Sequence, residues 1–298
     1  MRRFLDFNTF FTNKFKAKVA KLSLNSGASC PNRDGTLSKG GCIFCSERGS
    51  GDFTSDYKDI DKQIYEQKNL LSKKWKAKYY IAYFQSFTNT YGDINKLRDL
   101  YNYVVSKEDI VGLSLATRAD CLDDKVMEML LELNKKTFLF LELGMQSVNE
   151  NTIKFINRGY SHETFNENIK ILKKNKIKFL THLIFGLPCE DKGDIFKSVN
   201  YIKDIHPFGV KFHCLYIQTD SPLYAYYKNK PFRLLSKDEY VNLVCDAIEI
   251  LPKDIVIHRL TGDADKKKLI APLWAADKLS VISSIDKELK NRGLDLVV

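Results

Sequence analysis

The chain has 298 residues, of which 44% are hydrophobic, and its basic residues outnumber its acidic ones to give a net charge of +10. A chain of this length and apolar content buries a large core, which excludes an intrinsically disordered protein. An arginine pair stands near the start, but no apolar run reaches the roughly 18 residues of a membrane helix, so we expect a cytoplasmic protein without membrane contact.

Short runs of apolar and β-branched residues recur along the chain, with room for a helix between them. They predict strands at residues 19–24, 79–84, 110–115, 137–143, 177–185, 210–217 and 255–260. Apolar stripes at helical spacing predict helices around 60–71, 126–133, 165–172 and 195–202. About six repeats of strand then helix predict a parallel sheet, and they favour an α/β fold built as a partial (β/α)6 TIM-like barrel.

Beyond Tyr224 the alternation weakens into a lysine-rich segment, in which Val241, Val244 and Ile248 indicate one clear helix. We therefore predict a partial barrel over residues 1–225, which includes the N-terminal cysteine loop. Residues 226–298 are predicted to form a C-terminal extension that packs on the barrel. This extension is expected either to close the barrel or to contact the substrate.

Cys30, Cys42 and Cys45 lie within sixteen residues of a glycine-rich loop, directly after the first predicted strand. Three thiolates are one too few for a closed four-thiolate site, so they predict an iron–sulfur cluster with one iron open to a small molecule. An open coordination position is typical of reactive rather than structural metal sites. Three glycines among the eleven residues between Cys30 and Cys42 let the loop wrap round the cluster.

Two other roles for this loop stay open from the residues alone. Zinc would need a fourth ligand from Cys121, Cys189, Cys214 or a histidine, and none of these forms a second close pair. A thioredoxin-type redox pair begins a helix and needs no third cysteine. Cys214 and Cys245 lie in apolar patterns and are expected in the core, whereas Cys121 and Cys189 are candidates to face the site.

Polar clusters follow the other predicted strands, and in barrels the chemistry gathers on the loops at the carboxyl ends of the strands. The candidate cofactor-binding residues in these clusters are Gln85, Ser86, Thr88, Asn89, Thr117, Arg118, Gln146 and Gly186. We expect these segments and the cysteine loop to face one cavity.

The cysteine loop resembles that of the radical S-adenosylmethionine (radical SAM) superfamily. In that superfamily three cysteines hold a [4Fe-4S] cluster, and S-adenosylmethionine occupies the open iron. The usual spacing there is CxxxCxxC, whereas the first gap here has eleven residues. The long first gap and the sequences Cys-Pro-Asn-Arg-Asp-Gly and Gly-Gly-Cys-Ile-Phe-Cys resemble those of the YtqA/YhcC-like branch. That branch is related to the catalytic domain of Elongator-type enzymes.

The resemblance implies roles for several of the candidate residues. Gln146 and Arg158 lie in segments similar to those that face the cofactor, with the arginine pairing with its carboxylate. Residues 85–89 take the place of the motif that receives the cofactor's amino group. His182 and Gly186 match the fifth-strand motif beside the adenine and ribose. A helix cap at Gln146 and a surface cation at Arg158 remain the alternatives.

The resemblance also implies that an electron from the reduced cluster cleaves S-adenosylmethionine to a 5′-deoxyadenosyl radical, so a cellular one-electron reductant is an expected partner. The related branch is linked to wobble-uridine modification of tRNA, at the step from carboxymethylaminomethyl-uridine to aminomethyl-uridine. A basic surface suits a phosphate-rich anticodon arm. Candidate contacts are the lysines around Trp75, the lysines at 266–268, and Tyr216, Tyr224, Tyr226 and Tyr227, which could stack on a base or simply pack.

Two further functions are compatible with the sequence. The same radical chemistry could act on a small metabolite or a protein. A non-catalytic protein that binds nucleic acid and holds a structural metal would also explain the basic charge and the cysteines. Metal analysis and a test for S-adenosylmethionine cleavage separate these functions.

Overall fold

The structure is a computed structural model that describes residues 3–49, 51, 54–55 and 57–295. In this part of the chain, one curled parallel sheet has the strand order β1-β2-β3-β4-β5-β6-β8. Its strands are Val19–Leu24 (β1), Tyr79–Phe84 (β2), Ile110–Thr117 (β3), Phe138–Gln146 (β4), Lys178–Phe185 (β5), Gly209–Cys214 (β6) and Val256–Arg259 (β8). The predicted α/β partial barrel is confirmed, with seven strands in the sheet instead of six.

The extra strand comes from the C-terminal region. β8 pairs in parallel with β6, through Gly209 with Val256 and Val210 with Ile257. Two short strands, Ile217–Gln218 (β7) and Leu269–Ala271 (β9), form a separate antiparallel pair. The segment 226–298 therefore continues the sheet as well as packing on it, and the division at residue 225 stays a proposal.

Helices connect the strands and cover the outer face of the sheet. They are Phe7–Phe15 (α1), Ile60–Ser72 (α2), Ile94–Val105 (α3), Asp124–Lys136 (α4), Glu150–Phe155 (α5), His162–Lys174 (α6), Lys192–Ile205 (α7), Pro222–Asn229 (α8), Lys237–Ile250 (α9) and Lys278–Asn291 (α10), with a 3-10 helix at Leu273–Ala276. Several begin at an acidic or hydroxyl cap; for example, the Asp123 side chain accepts from the Val126 N–H. In the described residues, no helix has the length and apolar character needed to cross a membrane.

The amino-terminal end of the barrel is filled by aromatic side chains. Phe7, Phe10, Phe11 and Phe15 of α1, here called the aromatic plug, pack into a buried cluster that includes Phe140. The ring centroids of Phe10 and Phe208 lie 5.0 Å apart, and Phe11 is fully buried. Since α1 contacts both β1 and β8, the plug bridges the two edges of the sheet at the end opposite the cysteine loop.

Candidate active site

A cavity of about 210 Å³ lies at the carboxyl end of the barrel. The three loop cysteines, Cys30, Cys42 and Cys45, all line it. The other walls come from the ends of β2 to β6 and from the segment that follows β8. The strand ends named from the sequence thus converge on one cavity with the cysteine loop.

The cysteine loop is shaped by its own backbone and by Arg33. The N–H groups of Arg33 and Asp34 donate to the Cys30 carbonyl at 2.8 and 3.1 Å, which turns the chain directly after this cysteine. The Arg33 guanidinium donates to the carbonyls of Cys45 and Glu47 at 3.3 and 3.0 Å. Gly41 has a φ of +72°, and a Cβ there would meet the Arg33 side chain at 2.8 Å, so this position requires glycine.

The electrostatics of the loop favour a thiolate at Cys42. A hydrogen bond with the Cys45 thiol, supported by the guanidiniums of Arg118 and Arg158, lowers the pKa of Cys42 to about 7 against the opposing effect of burial. The same hydrogen bond raises the pKa of Cys45. Because the thiolate is the metal-binding form of cysteine, this arrangement suits a metal site.

The three cysteines share one cavity, but within the described residues they do not form a ready-made site for a single metal ion. No three His, Cys, Asp or Glu side chains in the described ranges lie close enough together to hold one metal ion. In an iron–sulfur cluster each thiolate binds its own iron, so the sulfurs lie farther apart than the ligands of one zinc. Three thiols on one cavity wall are therefore compatible with a cluster.

The remaining cysteines have different surroundings. Burial raises the pKa of Cys121 to about 12, and its Sγ lies 3.9 Å from Asp120. Cys189 is exposed, and Cys245 is buried beneath α10, where its thiol donates to the Ile285 carbonyl. Cys214 is buried as expected, but it also lines the cavity.

Arg158 is the most enclosed cation beside the cysteines, with 1% of its surface exposed. Its Nη1 donates to the carbonyls of Met145 and Ser147 at 2.7 and 3.3 Å, and its Nε donates to Tyr160. Its Nη2 is buried without a partner in the part of the chain that the structure describes. A buried guanidinium with a free donor on a cavity wall fits an anionic ligand group, and this rules against the surface-cation alternative.

Arg118, by contrast, is already paired. Its Nε and Nη2 donate to the two carboxylate oxygens of Asp120 at 2.9 and 2.8 Å, and its Nη1 donates to the Arg158 carbonyl. The ring of Tyr160 lies 4.9 Å from its guanidinium and 4.2 Å from that of Arg158. Arg118 therefore supports the backbone that presents Arg158.

Gln146 ends β4 in the left-handed region, with a φ of 59°. In the amide orientation that its surroundings favour, its NH2 group donates to the carbonyls of Gly144 and Met145 at 2.9 and 3.1 Å. The side chain folds back over Gly144, where a Cβ would meet the Gln146 side-chain amide at 2.4 Å. Gly144 thus leaves the space that this conformation needs.

The other candidates divide into two groups. Gln85, Thr88, Thr117 and His182 line the cavity. The side chains of Ser86 and Asn89 are buried in the loop after β2, and Gly186 packs against Leu235, so these three do not line it. The Asn89 Nδ2 donates to three backbone carbonyls between 2.9 and 3.1 Å, which holds this loop against β3. These bonds explain why the Asn89 side chain does not line the cavity.

A group of charged and polar side chains lies at the inner end of the cavity, and its members Glu142, His182 and Lys211 line it. Lys21, Glu142, His182 and Lys211, here called the polar floor, are joined through the Glu142 carboxylate. Lys21 Nζ lies 2.7 Å from Oε1, His182 Nε2 lies 3.0 Å from Oε2, and Lys211 contacts Oε2 and, at 3.1 Å, the Tyr83 hydroxyl. Burial opposes ionisation, but the two lysines hold the pKa of Glu142 well below its usual range. Since the carboxylate only accepts, His182 donates to it from Nε2.

The sequence analysis did not single out Lys21 or Lys211. Each is one charged residue in an otherwise apolar strand, Val-Ala-Lys-Leu-Ser-Leu and Gly-Val-Lys-Phe-His-Cys. In a barrel, every second side chain of a strand points inward. A lone lysine in such a strand is therefore a signal of a polar interior.

His182 should make the stability of the protein depend on pH. Burial lowers the pKa of His182 to about 4, against a hydrogen bond to Glu142 that raises it. The unfolded imidazole has a pKa near 6.5, so between these values the unfolded chain binds more protons and stability falls as the pH drops. This one group contributes a slope of at most about 1.4 kcal/mol per pH unit. Denaturant unfolding at pH 7 and pH 5 should show a smaller loss in His182→Asn than in the wild type, and equal losses would contradict the assignment.

The fold and the site define a barrel enzyme with a thiol-lined cavity at the carboxyl end of its strands. Residues 28–202 match the family described as the Radical SAM superfamily, and residues 207–291 match the Radical_SAM C-terminal domain. The chain belongs to the radical SAM superfamily and is an enzyme of that class. The family implies a [4Fe-4S] cluster and S-adenosylmethionine as cofactors.

The chain is similar to three proteins, which differ in how much of each chain the similarity covers. It is 41% identical over 293 residues to "Uncharacterized protein YtqA" of Bacillus subtilis (strain 168), covering 98% of this chain and 91% of that one. It is 29% identical to the tRNA uridine(34) acetyltransferase of Methanocaldococcus infernus, over 53% of this chain and 30% of the relative. The solved structure of the archaeal Methanocaldococcus infernus Elp3 with an N-terminal deletion aligns with a TM-score of 0.69 at 18% identity, over 93% of this chain and 64% of that one. The predicted branch and its Elongator-type relationship are confirmed, and the solved structure shows the shared fold.

Proposed function

We propose that Cys30, Cys42 and Cys45 each bind one iron of a [4Fe-4S] cluster and that S-adenosylmethionine binds the fourth. When bound, these groups supply a 5′-deoxyadenosyl radical that removes hydrogen from a carbon of the substrate. The observation that carries the proposal is that all three cysteines share one cavity wall with Arg158, whose buried Nη2 lacks a protein partner among the described residues.

The residues around the cluster then hold and orient the cofactor. Arg158 Nη2 donates to its carboxylate, and Gln146, next to Gly144, bounds the space beside it. Gln85, Thr88, Thr117 and His182 supply further polar contacts along the cavity. Arg118, Ser86, Asn89 and Gly186 act as positioning residues, because their groups support the loops and the backbone around the site.

Gly144→Ala should impair cofactor use without unfolding the protein. The new Cβ displaces the Gln146 amide from its place against Gly144, and a displacement of about 1 Å at a site costs on the order of 10²-fold in rate. The measurement is formation of 5′-deoxyadenosine under anaerobic, reducing conditions. Gly40→Ala is the matched control, because nothing lies within 4 Å of a Cβ there. Equal rates in the two variants would remove Gln146 and Gly144 from the cofactor site.

For the substrate we propose the wobble uridine of cytoplasmic tRNA, at the step from carboxymethylaminomethyl-uridine to aminomethyl-uridine. The net charge of +10 suits a polyanionic partner. The partial similarity to a tRNA uridine(34) acetyltransferase supports the same partner. The resemblance of the cysteine loop to the YtqA/YhcC-like branch supports the specific step.

The basic turn at residues 266–268 lies beside the cavity. The Thr219 N–H donates to the Lys268 carbonyl at 3.0 Å, and Lys268 Nζ donates to Asp220 at 2.6 Å. Gln218, next to Thr219, lines the cavity. We therefore propose that the C-terminal extension, 226–298, contacts the RNA at the cavity mouth.

Among the candidate aromatic residues, Tyr216 lines the cavity, and Tyr226 packs edge-on against Phe155 with centroids 5.0 Å apart. Trp75 is half exposed, with Lys18 Nζ 5.8 Å from its ring. We propose Tyr216 as the residue that stacks on a base, because it alone of these three faces the cavity.

The test uses reconstituted holoenzyme with S-adenosylmethionine, a chemical reductant and tRNA that carries carboxymethylaminomethyl-uridine. Nucleoside mass spectrometry should find aminomethyl-uridine together with 5′-deoxyadenosine, and neither without the reductant. A strain that lacks the gene should accumulate the carboxymethylaminomethyl form. Formation of 5′-deoxyadenosine with unchanged tRNA nucleosides in both experiments would overturn the tRNA proposal and point to a metabolite or protein substrate.

A further inference from the structure

Each carboxylate at the inner end of the cavity is shared by two cations, one that lines the cavity and one, Lys21 or Lys278, that lies outside its lining. Lys211 of β6 and Arg259 of β8 both line the cavity. Lys211 contacts Glu142, and Arg259 Nη2 lies 3.0 Å from Asp263. Each of these carboxylates also contacts a second lysine, so four cations share two carboxylates.

The other titratable groups nearby do not balance this excess. Burial lowers the pKa of His182 and His213, which favours neutral imidazoles. Burial raises the pKa of Tyr83, so its hydroxyl stays neutral. Burial lowers the pKa of Lys211 against the attraction of Glu142, and a bound anion would favour its charged form. A bound anion would supply the missing negative charge.

Two polar groups that line the cavity, one on β6 and one on β7, lack hydrogen-bond partners among the described residues. They are the Nε2 atoms of His213 and Gln218. Gln218 is only 3% exposed and its Nε2 is a donor. A buried donor without a partner is costly, so Gln218 indicates that the cavity takes a ligand with acceptor oxygens.

We propose that Lys211 and Arg259, which are register partners on β6 and β8, form a subsite for a carboxylate of the substrate. The inference rests on the proposed function of the same cavity, since it assigns the carboxymethyl group of the wobble uridine to this subsite. Lysine and arginine donate charge-assisted hydrogen bonds to the two carboxylate oxygens. The subsite therefore selects the modified uridine by its charged substituent.

A carboxylate fits this place better than a phosphate of the RNA. Lys211 lies within β6, below the carboxyl end of the strand and inside the barrel. The phosphates of a nucleotide lie on its backbone, whereas the substituent at C5 extends from the major-groove edge of the base itself. A base that enters the cavity edge first therefore brings its substituent, not its phosphate, to Lys211.

The test compares two probes on the holoenzyme with S-adenosylmethionine bound. These are the nucleoside 5-(carboxymethylaminomethyl)uridine and its carboxamide, which keeps the shape and loses the negative charge. Calorimetry should show that wild type binds the acid about 10- to 100-fold more tightly than the amide, as expected for hydrogen bonds to a charged group. Arg259→Met and Lys211→Met should each lose most of this preference, whereas Lys197→Met, an exposed lysine on α7, should keep it.

The variant Lys211→Gln also removes the charge but keeps a polar side chain, and it leaves Glu142 paired with Lys21, so it guards against misfolding of Lys211→Met. It too should bind acid and amide alike. Equal binding of the two probes by wild type, no binding of either at 10 mM, or an unchanged preference in the variants would overturn the subsite. Failure of the tRNA proposal would be detected separately, by the absence of aminomethyl-uridine in the turnover experiment. The tighter binding of the acid than of the amide is measured without turnover and does not depend on that result.

Discussion

Replacing Cys42 with serine is expected to abolish both cluster binding and cleavage of S-adenosylmethionine. Serine offers a hydroxyl that stays protonated at neutral pH, so the loop keeps two of its three thiolates. Loss of groups that merely support metal ligands costs about 10- to 100-fold, and loss of a ligand should exceed this range. Iron and sulfide analysis of anaerobically reconstituted protein, with 5′-deoxyadenosine formation, measures both effects.

The matched control is Cys189→Ser, because Cys189 is exposed and does not line the cavity. This variant should retain wild-type iron content and activity. Cys30→Ser and Cys45→Ser should behave like Cys42→Ser. If a loop variant kept a full complement of iron, or if the purified wild type held one tightly bound zinc, the assignment of the three cysteines would be wrong.

Glu142→Leu should be strongly destabilising. Glu142 is 1% exposed and is the carboxylate shared by Lys21, Lys211 and His182. Its removal leaves two lysines inside the barrel without their counter-charge, and breaking a buried ion pair from one side costs about 3–5 kcal/mol. Urea unfolding gives the free energy of unfolding directly, and the midpoint should fall while the slope stays constant.

A double variant tests the cause of this loss. When Lys211→Met is added to Glu142→Leu, one uncompensated cation is removed, and a large part of the lost stability should return. If the double variant is as unstable as the sum of the two single variants, the residues do not interact as a pair. In that case the loss reflects packing around the carboxylate instead.

The order of strands and helices follows closely from the sequence, because burial imposes a strong pattern on a parallel sheet. The strands predicted at 19–24 and 79–84 match the bounds of β1 and β2. The strand predicted at 255–260 is present as β8, but the prediction of six barrel units left it out of the barrel, because its pairing with β6 depends on tertiary packing. The sequence analysis also assigned no helix to Phe7–Phe15, whose apolar side is defined by the barrel end that it fills.

The candidate site was predictable where chemistry depends on residue type and was missed where it depends on side-chain direction. Three cysteines in one loop are informative without coordinates. Asn89, however, was selected as a polar residue at a strand end, and only the structure gives its bonds to backbone carbonyls. Lys211 lies in an apolar strand and acquires its meaning from Glu142, which is distant in the chain.

The aromatic plug of α1 fills the amino-terminal end of the barrel with phenylalanine rings. We therefore expect reactants and products to share one route, through the carboxyl end beside the cysteine loop. A ligand that binds at the inner end of the cavity should then bind before the ligand at the cavity mouth, and it should dissociate after it. We expect binding and release in the catalytic cycle to be ordered for this reason.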